Sequence, residues 1–138
     1  MLIRWPDPRL ERPAVEVVDF TDLNLLTDQM FACMAEHRGV GLAACQIGDP
    51  RRVLVGSPHL VMVNPLIKAR QGSQRAREGC LSFPGEYIET LRSAVVWVAY
   101  RRLDGSAASL RADGMLAVCL QHEIDHLDGI VFHHRVAS

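Results

Sequence analysis

The chain has 138 residues, 49% hydrophobic and 22% charged, with a net charge of −1, which is enough apolar content for one ordinary core and predicts a single catalytic domain over residues 1–138. So small a net charge offers no field that would gather nucleic acid or an anionic membrane, and no apolar run approaches the roughly 18 residues needed to cross a bilayer. The N-terminal Met-Leu-Ile-Arg-Trp-Pro has no signal-peptide core, so the expected address is the cytoplasm. Cys33, Cys45, Cys80 and Cys119 form no CxxC pair, and a disulfide scaffold is not expected.

Residues 1–20 carry Pro6, Pro8 and Pro13 and predict an extended arm wrapped on the core. Thr21 or Asp22 can cap a helix in which Leu23, Leu26, Met30, Phe31 and Met34 recur at helical spacing, ending at His37-Arg38-Gly39. Cys33 and His37 read as packing and surface residues. The small residues from Gly39 to Gly48 suit a helix-ending turn and a buried strand, and their glycines let another chain approach closely. A phosphate loop is a poor alternative, because no Lys-Ser/Thr pair follows. Arg52–Val55 and Leu60–Asn64 predict two strands about a turn carrying a solvent-facing His59, and the polar stretch Lys68–Arg77 reads as a loop. Ala94–Arg102 alternates cleanly as a strand, and Leu103-Asp104-Gly105-Ser106 turns it back into Ala107–Arg111.

The next helix carries the chemistry. Asp113 can cap it and Gly129 can stop it, bounding about 114–128. Met115, Val118, Cys119, His122 and His126 fall on one stripe, so the two imidazoles continue an apolar face. Leu116, Leu120, Ile124 and Leu127 make the opposite register apolar too, as expected of a central helix. Histidines four apart present both rings to one ion, and Glu123 between them projects beside that ion. A carboxylate so placed suits proton transfer to and from an attacking water, the zinc-peptidase type of hydrolysis.

A catalytic site of this kind has three protein ligands and one open position. The metzincin completion fails, since Phe132 stands where its third histidine belongs and His133 is one place off. The gluzincin completion fails as well, because no helix follows to supply a glutamate. Cysteine remains. Cys80 has the best context, in a tight segment between Gly79 and Leu81; Cys119, one turn before His122, is the rival, and Cys45 reads as a small buried residue. A thiolate with two imidazoles suits iron(II), zinc, cobalt or nickel.

Gly39-Val40-Gly41-Leu42-Ala43-Ala44-Cys45-Gln46, Glu78-Gly79-Cys80-Leu81-Ser82 and Gln121-His122-Glu123-Ile124-Asp125-His126-Leu127 together resemble the three motifs of the peptide deformylase family, in that family's order. The resemblance implies an α+β fold, with short antiparallel sheets packed around a central metal-binding helix. It implies a divalent metal on Cys80, His122 and His126, natively iron(II), with zinc, nickel or cobalt able to occupy a purified sample. The implied activity is hydrolysis of the formyl group from N-formylmethionyl nascent peptides. Glu123 would be base and then acid, while the Leu81 N–H and the Gln46 amide would donate to the oxyanion. Val118, Cys119 and Met115 would wall the methionine pocket, with Val40, Glu78 and Gly79 closing it and the peptide lying along Val40 and Gly41. Two departures stand out. Tyr87 occupies a place where many bacterial members have arginine, so recognition beyond methionine is expected to differ. The long C-terminal helix that many members carry, associated with ribosome docking, has no counterpart here, which is similar to compact phage-type members; a monomer is expected. The rival readings are another small HExxH peptidase and a catalytically silent formyl-peptide binder. Glu123 and Gln46 argue against the binder, which needs neither.

Overall fold

The computed structural model describes residues 1–137. Along them the chain forms α1 (Leu23–Glu36), β1 (Gly41–Ala43), β2 (Val53–Gly56), β3 (Leu60–Gln71), β4 (Gln74–Cys80), β5 (Phe83–Arg92), β6 (Val95–Arg101), β7 (Ala107–Asp113) and α2 (Gly114–Leu127). Short 3-10 turns occupy Pro8–Glu11, Ala44–Ile47 and Phe132–Arg135. One antiparallel sheet has the order β1-β2-β3-β6-β7, and β4-β5 pair separately as a two-stranded ribbon inserted in sequence between the neighbours β3 and β6.

β2 explains the layering. Its residues are buried throughout, and alternation sends Val53 and Val55 toward Leu26, Met30 and Met34 of α1, while Leu54 joins Leu120, Ile124 and Leu127 of α2. A helix therefore covers each side of the sheet. A third apolar group, Ile3, Leu10, Phe83, Val131 and Phe132, ties the N-terminal arm and the last turn to the start of β5. The arm is otherwise irregular, as expected from its prolines, and His59 is exposed in its turn.

One expectation fails and a second holds only in part. Lys68–Arg77 is not a loop: β3 runs through Gln71 and β4 starts at Gln74, with only Gly72, at φ +67°, and Ser73 turning between the two sheets. Its polar side chains sit on largely exposed faces, while the backbone pairs with β6 through Ala69↔Trp97 and Gln71↔Val95. Hydropathy does not see strands of that kind. The capping is borne out in position only: Asp22 and Asp113 hold the N-cap positions of α1 and α2, but neither makes a side-chain cap bond; Asp113 instead pairs with Arg111 at 2.9 Å.

The far end of α2 does close as its sequence predicts. Gly129, at φ +76°, donates to the His126 carbonyl at 3.0 Å, and Ile130 donates to that of Asp125 at 2.8 Å, the paired bonds of a Schellman stop. A Cβ on Gly129 would lie 2.7 Å from the Glu11 carbonyl oxygen, so the N-terminal arm also needs this glycine. Gly129→Ala is expected to cost about 2 kcal/mol from strain and collision, read as a lower urea midpoint at unchanged slope; an unmoved midpoint would show that the arm places no constraint there.

Candidate active site

α2 is apolar on both registers because the sheet and the arm cover it, and its last two turns from Leu120 to Leu127 are wholly buried. His122 and His126 therefore point into the protein one turn apart, with ring centroids 4.9 Å from each other. The β4-β5 ribbon delivers the third group. A register shift after Gly79 ends β4 at Cys80, whose Sγ lies 3.2 Å from His126 Nε2. Ligand atoms of Cys80, His122 and His126 all fall within 4.8 Å of one another, the only such cluster of three among the described residues.

The rival thiols sit elsewhere. Cys45 faces the His126 carbonyl at 3.6 Å and Cys119 the Val40 carbonyl at 4.0 Å. Burial first, and the Glu123 charge second, push both up to about 12, so both remain thiols.

Behind the cluster runs a line of buried charge. His122 Nδ1 lies 2.7 Å from Glu78 Oε1, which leaves Nε2 as the nitrogen that faces the cluster. Glu78 also accepts from Arg92 at 2.7 and 2.8 Å and from the Thr90 hydroxyl. Arg92 then donates to Asp125 at 2.6 Å, and Arg135 closes on Asp125 at 2.9 and 3.0 Å. Burial raises the Glu78 carboxyl, but hydrogen bonds from Arg92, His122 and Thr90 outweigh it and hold the group at about 2. Burial likewise lowers His122, yet the Glu123 charge and the Cys80 and Glu78 contacts bring it up to about 10. His126 is driven well down by burial and by the charge of His122, which keeps its imidazole neutral and able to ligate.

Glu123 is 5% exposed and its Oε1 has no hydrogen-bond partner. Desolvation lifts its carboxyl to about 7 against the pull of His122. Gln46, 2% exposed, accepts from the Ala43 N–H at 2.9 Å through its Oε1. Its amide nitrogen thereby points at Ser82 Oγ, 3.1 Å away, and at Cys80 Sγ, 3.7 Å away. Ser82 in turn donates to the Ile3 carbonyl at 2.6 Å, tying the arm to this corner.

A cavity of about 890 Å³ opens onto these groups. Val40 and Gly41 form one side, Glu78, Gly79 and Tyr87 another, and Met115, Val118 and Cys119 of α2 the third, while Gln46, Leu81, Cys80, His122 and Glu123 line it deeper. His126 is not part of the lining. Gly41 is needed where it is, since a Cβ there would lie 2.8 Å from both Cys119 Sγ and Glu123 Oε2. Glu78 touches the cavity, but its carboxylate is committed to His122 and Arg92. Sequence reasoning missed Thr90, Arg92, Asp125 and Arg135; the one available sign was Asp125 within the buried register of α2, a carboxylate that required a cation.

A family profile for polypeptide deformylase matches residues 1–138. "Peptide deformylase 2" of Xanthomonas axonopodis pv. citri is 43% identical over 142 residues, covering 95% of this chain and 83% of that protein. The Synechococcus elongatus peptide deformylase solved with actinonin superposes at a TM-score of 0.94, with 38% identity, over 100% of this chain and 79% of that one. The enzyme of Vibrio parahaemolyticus bacteriophage VP16T, also solved with actinonin, gives 0.90 at 35% identity over 94% and 98% of the two chains. Likeness that extends across the whole chain, in sequence and in fold alike, decides the matter: the chain belongs to the peptide deformylase family, metal-dependent hydrolases that remove the formyl group from an N-terminal methionine.

Proposed function

We propose that Cys80, His122 and His126 hold one divalent metal, iron(II) in the cell, and that Glu123 is the proton carrier of the deformylation reaction, with residues 1–138 acting as a single catalytic domain. The observation that carries this reading is the partnerless Oε1 of Glu123, buried beside a cluster of one thiol and two imidazoles. A buried carboxylate oxygen without a donor is costly unless a ligand completes it, and the soft, nitrogen-rich donor set fits a first-row divalent ion. When bound, such a metal supplies Lewis acidity toward the formyl oxygen and the attacking water.

The remaining steps belong to the protein. Glu123 takes a proton from the water as it attacks the formyl carbon, and its carboxyl, lifted to about 7 by desolvation, is basic enough to accept and acidic enough to give. Negative charge then grows on the formyl oxygen. The Gln46 amide and the Leu81 N–H donate to it; the Gln46 side chain is already oriented by its bond to the Ala43 N–H. Glu123 passes the proton to the departing amine, the C–N bond breaks, and formate and a free N-terminus leave. Val118, Cys119 and Met115 receive the methionine side chain, and the peptide backbone adds as a strand along Val40 and Gly41. Formylated chains arise where proteins are made, so we place the enzyme in the cytoplasm, working as a monomer. No helix among the described residues is long and apolar enough to cross a membrane.

Reconstitution with nickel, or anaerobically with iron(II), is expected to give formate release from a formyl-Met peptide. Glu123→Gln should retain metal and lose about a thousandfold in rate, whereas Cys80→Ala should lose metal and activity together. Internal fragments in place of formate would instead indicate a peptidase, and retained metal with no product would indicate a binder. Because iron(II) beside a thiolate is oxidisable, the iron form is expected to lose activity in air over a period in which the nickel form keeps it; equal lifetimes would overturn the iron assignment.

A further inference from the structure

The outer face of the β4-β5 ribbon carries a feature that the deformylation chemistry does not use. Tyr87 stands opposite Gly79, and a Cβ at Gly79 would lie 2.8 Å from the tyrosine ring, so the missing side chain is what lets the ring lie flat across β4. Arg77, two residues earlier on the same face, places its guanidinium 5.3 Å from that ring's centroid. The carboxylate directly across from Arg77 is Glu89, but Glu89 is engaged by Arg75 at 2.6 Å. Arg77 therefore keeps its charge uncompensated at the mouth of the cavity.

It is not alone there. Arg4 of the N-terminal arm and Arg38 after α1 line the same opening, and among the described residues none of the three arginines enters an ion pair. The rim's carboxylate, Glu86, contacts His133, and three arginines face that single acid. Tyr87, 62% exposed, offers a bare aromatic surface beside these cations.

We infer that Arg77, seated on Tyr87 and supported by Arg4 and Arg38, selects formyl-Met peptides bearing a carboxylate side chain at the second or third residue. The inference rests on the deformylase reading of the cavity. A peptide whose formyl end reaches Glu123 and whose methionine meets α2 must leave past this rim, and successive side chains of an extended strand project alternately to its two sides. One of the two residues after methionine is thereby turned toward the ribbon. A carboxylate there meets an unpaired guanidinium held by a ring, whereas a lysine meets like charge. The effect falls on binding, because none of the three arginines is among the groups proposed to act on the formyl carbon.

The test uses nickel-loaded enzyme and a set of C-terminally amidated formyl-Met tripeptides with Asp, Ala or Lys at the second or third position. At low ionic strength the Asp peptide is expected to show a KM about fivefold below that of the Lys peptide at one of these positions, with similar kcat, corresponding to one favourable rim contact. Added salt should narrow the gap. Arg77→Gln should flatten the Asp-to-Lys ratio and Arg77→Glu should invert it, and because the ratio is taken within each variant, partial loss of folded protein does not disturb it. Equal KM values across the set, or a preference for lysine, would overturn the inference while leaving the deformylase reading intact. No formate from the Ala peptide would overturn that reading and the inference with it.

Discussion

Arg92 is the hinge-pin between the two halves of the site. It is 4% exposed and lies between two carboxylates, Glu78 on β4 and Asp125 on α2. Cys80 belongs to the ribbon and both histidines belong to the helix, so the thiol and the imidazoles meet only if these elements keep their relative height. Arg92 reads that height directly. A buried ion pair adds little net stability over apolar packing, yet it tolerates no displacement, since a slipped partner leaves an uncompensated charge in the interior. Arg135 extends the line from the last turn of the chain to Asp125, so the C-terminal residues help position a cluster whose members lie 9 to 55 residues earlier in the sequence by number.

The two imidazoles have unequal surroundings. His122 receives a full carboxylate at Nδ1, while the corresponding nitrogen of His126 is buried without a partner. The Glu123 charge first, then the Cys80 and Glu78 contacts, raise His122 against its burial, whereas burial and the charge of His122 lower His126. Glu123, placed between them in sequence, feels desolvation chiefly and the charge of His122 next. Its carboxyl reaches the neutral range chiefly through burial, with the Glu78 charge a smaller push in the same direction, whereas Glu78 itself is a committed anion.

What could be read in the sequence is whatever repeats locally. The stripe of α2, its glycine stop, the apolar positions of α1 and the alternation of β6 all depend on neighbours within a turn or two, and each appears in the structure. The pair of histidines was legible for the same reason. Cys80 was legible only as the best-placed of several thiols, because its approach to His126 is made by a ribbon whose outer residues are polar and whose pairing partner, β5, is exposed along most of its length. Arg92 and Asp125 were illegible for a different reason: a buried charge is recognisable only with its partner, and these partners are 33 residues apart.

The ribbon divides its labour by strand alternation. Glu78 and Cys80 point inward to the helix and the cluster, where burial and ion pairing leave little freedom of choice. Arg77 and Gly79 point outward, where Tyr87 needs only an absent Cβ and a cation needs only water or a ring. Residues on the inner face are bound to one another by charge in a low-dielectric interior, so changing one strands the next. Residues on the outer face meet solvent and one another, with Arg77 resting on the Tyr87 ring, so a change there strands no buried charge. A strand built this way keeps the buried ion pairs apart from the surface proposed to read the peptide beyond methionine, so Arg77, diagonal to Tyr87 across the ribbon, can be exchanged without any change in the inner face.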